Sequence, residues 1–229
     1  MTSELTVLAA HTDRLLTTAR ALADPAAPSL CEGWSRGHVL THVARNADAI
    51  GRLASWAVTG DRQEMYPGGA EARDREIEDG AHRPPAELVA DLTDTAADLV
   101  PRLEALQGAL AAAEVEMRGG LVVPASQLPF LRLREVVYHH VDLDAGFGFP
   151  DVEPELLRRF VADAVHRLRL GRRPPGLVVR TDEGDSWTVG DGGTTVTGPL
   201  AGVLLWLARR DESGVHALDG QVPSLPRGA

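Results

Sequence analysis

Apolar residues recur at three- and four-residue steps along most of the chain up to Pro150, and there the pattern changes. That periodicity constrains the fold most strongly. It commits the first part of the chain to amphipathic helices that must bury one face against each other. Leu5, Leu8, Thr12, Leu15, Ala19 and Leu22 share one helical face. A Pro-containing loop follows from Asp24 to about Trp34. Ser35 can cap a second helix running to about Thr59, whose inward face carries Val39, His42, Val43, Asn46, Ile50 and Leu53. Tyr66-Pro67-Gly68-Gly69 reads as a turn, and a short charged helix is expected from Ala70 to Glu78. Pro84 and Pro85 open a third long helix ending near Leu106, with a kink or early end at Pro101. Residues 109–126 are ambiguous, with Leu121-Val122-Val123 as a short extended piece. A fourth long helix is expected from about Ser126 to Ala145, with a kink at Pro129.

Beyond Pro150 the grammar changes. A helix over Glu153 to Leu170 leads into an Arg- and Pro-rich stretch, Gly171 to Gly176. Three strand-like runs follow: Leu177 to Thr181, Ser186 to Val189 and Thr194 to Thr197, with Asp191-Gly192-Gly193 as a turn. Gly198-Pro199 precedes a helix ending near Arg210; a last strand around Val215 to Leu218 and a Pro-rich tail close the chain. The expected fold class is therefore α+β: a four-helix-type bundle over residues 1–150 and a small α/β domain over residues 151–229.

Charge and cysteine usage narrow the function. The formal net charge is −10, which disfavours nucleic acid and anionic membrane surfaces as partners. Every basic residue is arginine, so mechanisms needing a lysine, such as a Schiff base or a P-loop, are excluded. Cys31 is the only cysteine, so neither an intrachain disulfide nor a cysteine-based zinc cluster can form. No apolar run approaches the roughly 20 residues that span a bilayer. A cytoplasmic protein is expected, and nothing in the sequence calls for an oligomer over a monomer.

Three residues stand out against this background. Glu135 and His139 are four apart on an expected helix, so both side chains point to one face. They fall in that helix's apolar stripe, after Leu128 and Leu131, where an uncompensated carboxylate and imidazole are costly. His42 occupies an inward position on the second helix, where leucine is usual. Helical bundles build metal sites in this manner, and two histidines with one glutamate leave a fourth position open, as in catalytic zinc sites. The pair His38 and His42 is a rival, and His140 is another candidate, although it points about a third of a turn away from Glu135. A Glu-x-x-His di-iron pattern is missing.

The runs GWSRGHVLTHVARNADA (Gly33–Ala49), MYPGGAEARDREIEDGA (Met65–Ala81) and VPASQLPFLRLREVVYHHVDL (Val123–Leu143) resemble the mycothiol-dependent maleylpyruvate isomerase family, whose helical part is a DinB-like metal-binding bundle. The resemblance covers most of the first ~150 residues and continues into the C-terminal part. It implies zinc held by His42, Glu135 and His139, and it prefers His42 over His38. It implies mycothiol as the thiol cofactor, bound at zinc as a nucleophilic thiolate. Reversible addition of that thiolate to the cis double bond of maleylpyruvate would give fumarylpyruvate. It also implies a catalytic arginine at the end of the Trp206-Leu207-Ala208-Arg209-Arg210 run, namely Arg210; Arg209 replaces the glycine usual in the family pattern.

The alternatives are a mycothiol S-transferase that leaves a stable adduct on an electrophile, and a non-catalytic metal-binding module. Asp142 can orient a ligand histidine or face solvent, and His38 can line the pocket or serve as an ordinary hydrogen-bonded histidine. Arg45 and Asn46 can reach a cofactor or simply bond between helices, Tyr138 reads as packing and Cys31 as structural.

Overall fold

A computed structural model describes residues 3–225. The chain divides into two compact units, one ending at Gly146 and the other beginning at Phe147, just ahead of Pro150. The last residues of the expected Pro-rich tail, 226–229, lie outside the described residues.

The first unit is built on four long helices: α1 (Glu4–Ala21), α2 (Arg36–Thr59), α4 (Pro85–Glu104) and α5 (Leu128–Asp142). The shorter α3 (Gly69–Ala81) packs on α2. Helix α2 runs through the middle and touches α3, α4 and α5. Its sequence suits that place. Val39, Leu40, Val43, Ile50 and Leu53 supply large apolar side chains, and Ala44, Ala47, Gly51 and Ala54 let neighbouring helices approach. Ser35 starts α2 with a capping box: its side chain accepts from the His38 backbone, while His38 Nδ1 accepts from the Ser35 N–H at 3.2 Å. Gly60, with φ of 81°, ends the helix in a left-handed turn that suits glycine.

Two glycines set the spacing between α2 and α3. A β-carbon at Gly37 would lie 2.2 Å from the Ala81 carbonyl oxygen, and one at Gly80 would lie 2.5 Å from Thr41 Cγ2. The helices therefore approach closer than side chains at these two positions would allow.

Several boundaries differ from the sequence expectation. Pro129 lies in the first turn of α5, where a missing N–H costs nothing, so it starts the helix instead of kinking it. Pro101 sits inside α4, close enough to its end that the helix closes within a turn, at Glu104. The ambiguous stretch resolves into a 3-10 turn (Gly108–Ala112) and an antiparallel pair, β1 (Glu114–Glu116) with β2 (Val122–Pro124). Helix α3 extends past Glu78 to Ala81.

In the second unit, α6 (Pro154–Leu170) and α7 (Leu200–Arg209) pack on each other and against a four-stranded sheet. The strands are β3 (Leu177–Thr181), β4 (Ser186–Val189), β5 (Thr194–Gly198) and β6 (His216–Ala217), in spatial order β4-β3-β5-β6. Strands β3 and β5 run parallel, and the outer pairs are antiparallel. Leu177, Val179, Val189 and Val196 face the core with Phe160, Leu204 and Trp206. The α+β class expected from the pattern is the one observed.

Candidate metal centre

Helices α2 and α5 bring His42, Glu135 and His139 to one point. His42 Nε2 lies 3.3 Å from Glu135 Oε2, and His139 Nε2 lies 3.4 Å from the same oxygen. One donor atom from each residue falls within 4.8 Å of the others. Four ligands around tetrahedral zinc at about 2.0–2.1 Å are spaced about 3.3 Å apart, so both histidine–glutamate separations already match what an ion would require. The two imidazoles meet edge to face, with centroids 4.5 Å apart.

The depth of the three differs from the sequence expectation. His42 is buried, but the Glu135 side chain keeps 26 % of its surface exposed and that of His139 keeps 16 %. The cluster thus sits at the mouth of the bundle and not in its apolar interior. An open coordination position needs that kind of access.

Each donor is oriented by a neighbour. Asp142, fully buried one turn along α5, accepts from His139 Nδ1 at 2.8 Å and leaves Nε2 facing Glu135. Cys31 Sγ donates to the same Asp142 carboxylate at 3.3 Å, so the thiol lies on the Nδ1 side of His139, away from the point where the donors converge. On the other side, Arg73 Nη2 donates to His42 Nδ1 at 3.1 Å. The Arg73 guanidinium also lies over the Tyr66 ring and pairs with Asp74 at 2.6 Å. Trp34 covers the cluster edge, 5.4 Å from the His42 ring and 6.3 Å from that of His38.

These surroundings set the charges. Burial, with His139 nearby, pushes His42 down to about 4, so it is a neutral imidazole at neutral pH. Burial alone would raise Glu135, but hydrogen bonds from His139 and His42 outweigh it and hold the carboxyl well below its usual range. Burial alone would lower His139, yet its bonds to Asp142, Cys31 and Glu135 hold it well above the usual value. The metal-free site therefore carries a proton between His139 and Glu135 at the place where a cation would sit. A buried-edge carboxylate with two imidazoles is a good donor set for zinc.

The remaining residues singled out from the sequence fall elsewhere. His140 is buried and meets Thr18 of α1 at 2.7 Å, outside the cluster. His38 turns toward α3, where Nε2 lies 3.1 Å from Glu78 Oε2. Arg45 bonds Asp91 of α4 at 2.5 Å, and Asn46 accepts from the buried Arg132 at 2.8 Å. These are interhelical contacts. Tyr138 is buried in the core. In the second unit, Arg210 closes α7 in a left-handed turn (φ 64°), with its N–H on the Trp206 carbonyl and Nη1 on the Leu207 carbonyl. Burial, then Arg167 and Arg209, lower its pKa. Sequence reasoning missed Arg73. Its signal was the four-residue step to Ile77, which is buried against the bundle and aims Arg73 inward too.

The model of the mycothiol maleylpyruvate isomerase N-terminal domain matches residues 8–144. The chain belongs to this family. Among solved structures, a mycothiol-dependent maleylpyruvate isomerase is 32 % identical, with a TM-score of 0.90 over 97 % of this chain and 95 % of the other. A histidine-to-alanine mutant of such an isomerase matches at 31 % identity, with the same TM-score and the same coverage. No curated protein sequence matches. Both units of the chain thus fall within the family's architecture. No helix among the described residues is long and apolar enough to cross a membrane.

Proposed function

We propose that this chain is a zinc- and mycothiol-dependent isomerase that converts maleylpyruvate to fumarylpyruvate. The observation that carries the reading is the convergence of His42, Glu135 and His139 at the spacing of tetrahedral zinc ligands, with one side open. Zinc there supplies a Lewis acid that keeps a thiol deprotonated near neutral pH, and mycothiol supplies a thiolate whose reversible addition lets a cis double bond rotate.

The chain's own groups prepare that chemistry. Asp142 holds the His139 proton on Nδ1, which keeps the Nε2 lone pair for the ion. With Nε2 of His42 committed, its ring proton must move to Nδ1, where Arg73 now donates. Two donors cannot share that contact, so with an ion on Nε2 Arg73 would leave it and become available to an anionic substrate. Maleylpyruvate is dianionic, and an arginine fork suits a carboxylate. Cys31 stays engaged with Asp142 behind His139, so the reacting thiol comes from outside the chain. Arg210 is proposed as a further catalytic arginine, on the family resemblance of the Trp206–Arg210 run. The net charge of −10 and the lone cysteine support a cytoplasmic monomer acting on small molecules, without nucleic acid or membrane partners.

The test is incubation of the zinc-loaded protein with maleylpyruvate and substoichiometric mycothiol. Fumarylpyruvate should form with the thiol recovered free. A stable thiol adduct consumed one for one would make the protein an S-transferase, and no thiol-dependent product would leave only a metal-binding module.

A further inference from the structure

A second set of the same donors lies one turn earlier along α2. Glu78 and His82 stand four residues apart on α3, as Glu135 and His139 do on α5. His38 stands four residues before His42 on α2. The two Glu-x-x-x-His pairs thus flank one helix, and each meets a histidine of that helix. His38 Nε2 lies 3.1 Å from Glu78 Oε2, and His82 Nε2 lies 3.2 Å from Glu78 Oε1. The three donors fall within 4.8 Å of one another. The rings of His38 and His82 meet edge to face at 5.6 Å.

We propose that His38, Glu78 and His82 form a second binding site for a divalent cation of the zinc or cobalt type. Two imidazoles and a carboxylate with both oxygens available select such an ion over magnesium or calcium. The site is held in place before any ion arrives. Gly37 against Ala81 and Gly80 against Thr41 lock α3 onto α2; these contacts fall on either side of His38 on α2 and between Glu78 and His82 on α3. Trp34 stacks on His38 from the other side, with the rings 20° from parallel.

Ser35 lets His38 serve as a ligand. His38 Nδ1 lies 2.7 Å from Ser35 Oγ as well as 3.2 Å from the Ser35 N–H. When the ion takes Nε2, the ring proton would move to Nδ1 and point to Ser35 Oγ, and the Ser35 N–H would give up its contact with that nitrogen. Glu78 and His82 are largely solvent-exposed, which makes this site weaker than the one at His42 and open to exchange. It lies one helical turn from His42 with Trp34 against both histidines, so a cation there adds positive charge beside the entrance used by an anionic substrate. The proposal rests on its own three residues and not on the function of the first site.

The experiment is a zinc and cobalt(II) titration of the metal-free full-length protein, with bound ion counted after equilibrium dialysis and the cobalt d–d bands recorded. The wild type should take up two equivalents, the second at least about tenfold weaker. His82→Ala and Glu78→Gln change exposed side chains, so folding is not at stake. Each should lose the weak equivalent and keep the tight one with its spectrum. His42→Ala should do the reverse. Saturation of the wild type at one equivalent overturns the second site, as does a weak equivalent that survives both His82→Ala and Glu78→Gln. Loss of the weak equivalent alongside an unaltered tight one in His42→Ala would instead overturn the reading of the first site.

Discussion

Asp142 shows how much of the metal centre depends on groups that never touch the ion. It is fully buried, and its carboxylate gathers the His139 Nδ1–H and the Cys31 thiol. Asp142→Asn keeps the shape but can present an N–H to His139, which reverses the tautomer. Zinc affinity should fall by roughly 10–100-fold with the helical circular dichroism unchanged; unaltered affinity would show that the ring is held by other contacts. The two arginines act differently. Arg73→Ala and Arg210→Ala should both retain zinc, Arg73→Ala raising KM for maleylpyruvate and Arg210→Ala lowering kcat. Metal loss in either variant, or unchanged kinetics, would remove that arginine from its role. Proton bookkeeping gives a further check. His42 is neutral above about 4 and Glu135 is ionised, whereas His139 holds its proton to well above the usual value. Zinc therefore displaces one proton, from His139, and affinity should rise with pH through neutrality and level off once His139 titrates. Calorimetry in buffers of different ionisation enthalpy measures that proton; uptake with no proton released would contradict the assignment.

At the scale of elements, the contact between α2 and α3 is set by absence of side chains. A methyl group at residue 37 would press on the Ala81 carbonyl at 2.2 Å, and a backbone atom cannot rotate away. Gly37→Ala should cost about 1–3 kcal/mol in denaturant unfolding and should also pull Arg73, carried by α3, away from His42. A fully stable Gly37→Ala variant would mean that α3 rides loosely. Legibility also divides at this scale. The four-residue steps placed Glu135 with His139 on one face, and the inward stripe of α2 placed His42 toward them, because helical geometry converts spacing directly into direction. The role of Arg73 was not legible. It depends on the turn at Gly68-Gly69, with φ of 80° and 79°, which aims α3 across the cluster mouth. The tilt of a short helix after two left-handed glycines is a matter of packing, not of period. Pro129 misled for a related reason: the same residue kinks a helix interior and starts a helix, and only the boundary tells which.

For the whole molecule, metal and folding should be linked. An ion bound only by the folded chain stabilises it by about 4 kcal/mol at a thousandfold excess over Kd, which for a chain of this size corresponds to on the order of 10 °C in Tm. Differential scanning fluorimetry with and without zinc should show that shift in the wild type and a smaller one in His42→Ala, which keeps only the weaker site; equal shifts would mean that the tight ion binds elsewhere. Larger features of the chain were readable where they rest on pattern. The change at Pro150 announced a second, sheet-containing part, and the α+β class followed. The strand order β4-β3-β5-β6 was not readable, because partner choice among four short strands is decided by how they cover α6 and α7.

Helix α2 carries His38, His42 and Asn46 at successive turns, the first reaching Glu78 of α3 and the other two reaching Glu135 and the buried Arg132 of α5. It works as a common shaft. Rotating it by a single residue, about 100°, would disengage all three connections together, so the bundle has one register or none. Any event that loosens this shaft, whether heat, acid or a partner's pull, should release every bound ion in one step, and a chain that has captured its ions has already proved its alignment.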